Sequence, residues 1–210
     1  MLGLKRGAVA LYPHEKAWET EAQATMARLR QILGPVAVEM AHVGSTAIPT
    51  IQAKPIIDIA VAVDDFDALL AYEKQLRAGG FYYRPNAQAG VRGQLLFACG
   101  SYYDGTGDLQ THFIHIVRTG SVDWQNYILF RDYLCAHPDT AGEYERLKLA
   151  LAAQLPTDSG REDYVQGKQS FIRSVLRRAL SDMLLGKTVD IRIDRPLGSH
   201  HPKHTNMIYR

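Results

Sequence analysis

The chain has 210 residues, with 24 lysines and arginines against 22 aspartates and glutamates. That length suits one domain of about 180 residues with an appendage, here divided as 1–182 and 183–210. The near balance of charge makes nucleic acid an unlikely partner and leaves room for a small anionic ligand. No apolar run approaches the roughly 20 residues of a membrane helix, and the opening residues lack a long apolar stretch with a cleavage site. A cytoplasmic protein without a membrane partner is expected. Cys99 and Cys135 have no neighbours at zinc-ligand spacing and read as buried free thiols.

Trp18, Ala22, Met26, Leu29 and Leu33 recur at helical spacing and Gly34-Pro35 ends the run, which predicts an amphipathic helix packed on a sheet. Val36 to Ala41 reads as a short strand, and Ile56 to Val63 as a β-branched strand too apolar to be exposed on both faces. A helix follows from Asp65 to Arg77, stopped by Gly79-Gly80, with an extended segment over Phe81 to Arg84. Strands at Leu95 to Cys99 and His112 to Arg118 flank a glycine-rich loop, 100–108. Beyond Gly120 the pattern is helical. Trp124 to Cys135 forms one helix, and capping boxes at Thr140/Glu143 and Ser159/Glu162 announce two more, of about 15 and 25 residues. The last buries Tyr164, Val165, Phe171, Ile172, Val175, Leu176 and Ala179, with Arg173, Arg177 and Arg178 largely off that stripe. The expected class is α+β: a mixed β-sheet of four or five strands with flanking helices and a C-terminal helical layer.

Chemistry concentrates between His42 and Val61. Gly44 and Ser45 leave one strand in a tight turn, which can aim backbone N–H groups and a hydroxyl at a phosphate. On the next strand Asp58 and Ala60 share a face, while Ile57, Ile59 and Val61 take the other. A carboxylate in so apolar a strand needs a partner or a metal. An equal alternative is structural: Ser45 caps a helix and Asp58 answers Lys54 or an arginine.

Five ordered blocks then resemble the GrpB family over residues 8 to 180: His42-Val43-Gly44-Ser45-Thr46, Ala53-Lys54-Pro55-Ile56-Ile57-Asp58-Ile59, His112-Phe113-Ile114-His115, Phe130-Arg131-Asp132-Tyr133-Leu134 and Tyr144-Glu145-Arg146-Leu147-Lys148. The resemblance implies a nucleotidyltransferase-like fold, in which a Gly-Ser turn precedes a strand carrying metal-binding acids. Family members also occur joined to dephospho-CoA kinase, which suggests a nucleotide or coenzyme precursor as the small-molecule partner. Active enzymes of that superfamily place two acids at alternate strand positions, and Ala60 occupies the second here.

A replacement ligand would come from nearby histidines. His112 and His115 are three apart and face opposite sides of a regular strand, so His115 with His42 and Asp58 is the expected metal set, with His112 on the outer face or brought in by a bulge. The alternative for His115 is a hydrogen-bonded core histidine. Lys54 is a candidate phosphate ligand, and Arg131, Lys148 and Lys168 could reach a triphosphate if the helical layer closes over it. Arg84 and Arg92 flank a loop, 85–90, that could bind an acceptor.

Residues 186–194 alternate as a strand and resemble the opening of an inorganic-pyrophosphatase-like family. Val189, Ile191 and Ile193 would need covering, by this domain or by a second copy in a homodimer. His200, His201 and His204 follow. Three functions result as expectations. The first is a metal-dependent nucleotidyltransferase using Mg2+ or another divalent metal, with a nucleoside triphosphate as substrate and Asp58, His115 and Ser45 as catalytic groups. The second is a catalytically reduced nucleotide- or coenzyme-precursor-binding module. The third is a transition-metal hydrolase or transferase.

Overall fold

A computed structural model describes residues 1–85, 93–155 and 160–185. Five strands make one mixed sheet: β2 (Glu39–Val43), β3 (Ile57–Val63), β4 (Tyr82–Tyr83), β5 (Gln94–Cys99) and β7 (His112–Arg118), in the order β2-β3-β7-β5-β4. β3 and β7 run parallel, and every other pair is antiparallel. β1 (Leu4–Lys5) and β6 (Leu109–Gln110) form a separate two-stranded ribbon. The expected α+β class and mixed sheet are present.

The two faces of the sheet have different covers. Helix α1 (Lys16–Leu33) lays Trp18, Ala22, Met26, Leu29 and Leu33 on Ile57, Ile59, Val61, Val63, Ile114 and Ile116. Two short helices, α2 (Phe66–Leu70) and α3 (Glu73–Ala78), complete that layer through Leu69 and Leu76. On the other face, α5 (Val122–Ala136) sets Trp124 and Ile128 on Ala41, Val43, Ala60, Ala62 and Val117. With both faces covered, every residue of β3 is buried except Asp58, which explains the strand's apolar character. Helices α6 (Pro138–Gln154), α7 (Arg161–Gly167) and α8 (Gln169–Leu184) pack beyond α5. Among the described residues no helix is long and apolar enough to cross a membrane.

Several expected boundaries move. The strand expected over Val36 to Ala41 starts at Glu39 and ends at Val43, because Gly34–Val36 forms a 3-10 turn first. The helix expected over Asp65 to Arg77 is α2 and α3 in succession, with Asp65 capping the first through a 3.1 Å bond from the Asp67 N–H. The glycine-rich loop holds the short helix α4 (Ser101–Asp104). Thr140 is not a cap: α6 begins at Pro138, whose fixed φ suits a first helical position. The long last helix is two, meeting at Lys168, where Gly167 passes close enough to Leu151 of α6 that a Cβ would lie 2.6 Å from its Cδ2. Val165 is exposed rather than buried. Ser159, Arg92, the 86–90 loop and the tail from 186, including its expected strand and histidines, lie outside the described residues.

Candidate functional site

Register places the site. Asp58 on β3 lies opposite Val43 on β2 and Phe113 on β7, and Ala60 lies opposite His115, so Asp58 and His115 share a face two positions apart. His115 Nε2 approaches Asp58 Oδ1 to 3.0 Å. Its Nδ1 is 3.0 Å from the Tyr127 hydroxyl, which is 3.2 Å from Gln94 Oε1. Whichever way the amide and hydroxyl are turned, Nε2 is the nitrogen that donates to the carboxylate. Asp58, His115, Tyr127 and Gln94 are thus one polar chain on an otherwise apolar sheet face.

Gly44 stands against the other carboxylate oxygen. It has φ 71° and ψ −171°, and a Cβ there would lie 2.5 Å from Asp58 Oδ2. This conformation is essentially restricted to glycine, and the missing side chain lets the turn meet the acid directly. Ser45 opens the 3-10 turn Ser45–Ala47 immediately after it.

Ser45, Lys54, Asp58 and His115 line one cavity of about 220 Å³, together with Arg161, Tyr164 and Lys168 from the helical layer. Two ammonium groups lie over the Tyr164 ring, Lys54 Nζ at 5.0 Å and Lys168 Nζ at 4.6 Å from its centroid. Burial, reinforced by the charges of Lys168 and Arg161 and opposed by Asp58, pushes the Lys54 ammonium down to about 7. Such a lysine is charged below neutrality and loses its charge above it, and an anion in the cavity favours the charged form. Polyanion binding should therefore take up a proton and strengthen as the pH falls from 8 to 6, by up to about tenfold. Calorimetric titration in two buffers of different ionisation enthalpy measures that uptake, and Lys54→Met should remove it.

The remaining expected residues lie elsewhere. His42 pairs with Ile59, on the sheet face opposite Asp58, and its Nε2 is 2.9 Å from Thr46 Oγ1. Burial holds its pKa down at about 4, against the attraction of Asp58, so it is a neutral, hydrogen-bonded histidine. His112 is on that same face, buried against Thr25 and Glu21 of α1, with no bulge. Arg131 is buried, pairs with Asp132 at 2.7 Å and donates to the His42 carbonyl at 2.9 Å. Lys148 is fully buried, donates to the Gln52 carbonyl and lies 4.8 Å from the Tyr144 ring centroid. Neither cation lines the cavity; of the three expected there Lys168 does, and it is joined by Arg161.

These positions limit which residues could hold a metal. Magnesium takes one or two carboxylates together with substrate phosphates and keeps several waters. Asp58 offers one carboxylate and Ser45 a hydroxyl, which suits a single ion arriving with a phosphate chain. Two ions would need a second acid at Ala60. Among the described residues no group of three His, Cys, Asp or Glu side chains converges, so the set of His42, Asp58 and His115 is not assembled.

The sequence profile of the family described as GrpB protein matches residues 8–178. The chain belongs to the GrpB family. It is 34% identical over 177 residues to the glutamate-rich protein GrpB of Alkalihalophilus pseudofirmus, covering 84% of this chain and 98% of that one. It is 35% identical over 185 residues to UPF0157 protein YqkA of Bacillus subtilis, covering 84% of this chain but spanning only about half, 51%, of that relative. The crystal structure of the conserved protein GrpB from Enterococcus faecalis superposes with a TM-score of 0.72 at 26% identity, covering 83% of this chain and 99% of that one. Within this GrpB chain, the Gly44-Ser45 turn, Lys54, Asp58 and His115 are family-like blocks that meet in one cavity, whereas Tyr127 and Arg161 lie outside those blocks.

Proposed function

We propose that this GrpB protein binds the polyphosphate end of a nucleoside triphosphate, with its magnesium, in the Asp58 cavity and transfers the nucleoside monophosphate to a small acceptor. One observation carries the reading: Ser45, the strand carboxylate of Asp58 and the cations Lys54, Arg161 and Lys168 line the same space. A volume of about 220 Å³ suits a phosphate chain rather than a whole nucleotide, whose base and sugar extend out of the cavity.

Lys54, Lys168 and Arg161 offset phosphate charge, and Ser45 offers its hydroxyl to a phosphate oxygen. His115, held by Tyr127, fixes the orientation of Asp58. Magnesium, when bound with the nucleotide, supplies further charge neutralisation at the phosphates. In the transfer, an acceptor oxygen forms a bond to the α-phosphorus as the bond to pyrophosphate breaks, and the acceptor proton passes to the Asp58–His115 pair.

A second reading, nucleotide binding without transfer, is favoured by Ala60, which leaves that position of β3 without an acid. Titration of nucleoside triphosphates with magnesium, followed by an assay for released pyrophosphate, separates the two. Asp58→Asn should weaken magnesium-dependent binding at least tenfold and abolish release. Binding with no release by the wild type selects the second reading. Wild-type protein that binds none of the four common nucleoside triphosphates defeats both.

A further inference from the structure

Beside the Asp58 cavity lies a larger groove of about 630 Å³, and the two share Leu96, Phe113, Arg161 and Val165. Three arginines from distant parts of the chain line this groove: Arg6 after β1, Arg84 after β4 and Arg161 at the start of α7. The β1–β6 ribbon brings the first into place, with the Arg6 N–H donating to the Asp108 carbonyl at 3.1 Å.

Each guanidinium lies over an aromatic ring. Arg6 is 4.8 Å from the Tyr102 centroid, Arg84 5.0 Å from Tyr103 and Arg161 4.8 Å from Phe113. Stacking engages the flat face of a guanidinium and leaves its edge N–H groups available for forked bonds to an anion. Buried Gln110 locks part of the wall: its Oε1 accepts from Arg161 Nη1 at 2.7 Å, and its amide nitrogen donates to the Tyr103 hydroxyl. Arg6 also donates to the Tyr102 hydroxyl. Among the described residues Glu162 is the one carboxylate residue lining the groove, and none of the three arginines forms an ion pair. Three like charges gathered around one space repel each other, and an anion between them removes that cost.

We infer that this groove is a second-substrate site, and that it takes a small phosphorylated acceptor by its phosphate. The inference rests on the proposed nucleotidyl transfer and adds the class of acceptor to it. Arg161 belongs to both spaces, so a phosphate held in the groove sits beside the nucleotide's own. Forked arginine contacts and a triple positive charge suit a multiply charged phosphate, and a neutral acceptor has no use for them.

Arg6 and Arg84 line the groove and not the Asp58 cavity, which makes a clean test. Calorimetric titration of the full chain with inorganic pyrophosphate, in the absence of nucleotide, should show binding that Arg6→Gln/Arg84→Gln weakens at least tenfold. The loss for pyrophosphate should exceed the loss for magnesium-ATP at least fivefold in the same variant. No pyrophosphate binding by the wild type, or equal losses for the two ligands, overturns the inference; equal losses would mean that the groove holds the nucleotide's phosphates. Should the double variant fail to fold, Arg84→Lys keeps the charge and removes the planar fork. It is expected to weaken pyrophosphate at least threefold, and unchanged affinity overturns the inference. Failure of the nucleotide reading shows separately, in the magnesium-ATP titration of wild type against Asp58→Asn.

Discussion

Gly44→Ala is expected to destabilise the protein by about 3 kcal/mol or more and to abolish ligand binding in the Asp58 cavity. Two costs add. The backbone at φ 71° and ψ −171° is in a region that an L side chain reaches only with strain of about 1–3 kcal/mol. The new Cβ would also lie 2.5 Å from Asp58 Oδ2, 2.9 Å from its Cβ and 3.0 Å from its Cγ. Asp58 has little freedom to retreat, because β3 is an interior strand paired on both sides and its carboxylate is held by His115. Denaturant unfolding measures the loss. Asp58→Ala in the same chain removes the carboxyl contacts at 2.5 and 3.0 Å, and leaves the 2.9 Å contact with the residue 58 Cβ and the torsional strain. A double-mutant cycle should therefore show a favourable coupling of about 1 kcal/mol between positions 44 and 58. Strict additivity would assign the whole cost to the backbone and the Cβ contact, and remove the carboxyl contacts as its cause.

The sequence carried the central part of this site because strand alternation is a strict rule. Ile57, Ile59 and Val61 on one side left Asp58 facing the other, and the three-residue spacing of His112 and His115 put them on opposite faces, as the sheet has them. His42 falls outside that rule as long as the strand is expected to end before it. A strand ending at Ala41 leaves the direction of His42 free, whereas β2 runs to Val43, which pairs with Asp58 and turns His42 away. Antiparallel register depends on where the partner strand lies, which a single sequence does not contain.

The helical layer was legible only as a set of faces. Periodicity shows which residues share a stripe, not what the stripe meets. Arg131 and Lys148 therefore looked like phosphate ligands, although each satisfies a carbonyl inside the fold. Arg161 carried no such signal, standing next to an expected helix start, and it lines the cavity from the first position of α7. Gly167 stands at the break between α7 and α8, where its missing side chain makes room for Leu151 of α6, a long-range contact. Tyr127 likewise became functional only through the placing of α5 across β7.

Arg131→Ala separates a supporting role from a ligand-binding one, and it is expected to destabilise the fold by about 3–5 kcal/mol. Arg131 and Asp132 are both buried, and removing the guanidinium leaves a carboxylate without its 2.7 Å partner. The same substitution takes a donor from the His42 carbonyl, two residues before Gly44, and so loosens α5 from the end of β2 where the Gly44-Ser45 turn begins. Arg131→Met/Asp132→Leu removes both charges and should recover the part of the loss that comes from breaking the Arg131–Asp132 pair. Urea unfolding of the two variants gives that comparison. Binding then assigns the role. If Arg131 only braces the turn, the folded double variant keeps nucleotide affinity within about threefold of the wild type, since Lys54, Arg161 and Lys168 remain in the cavity. A loss of tenfold or more with stability restored would return Arg131 to the ligand-binding groups and require the helical layer to move on binding.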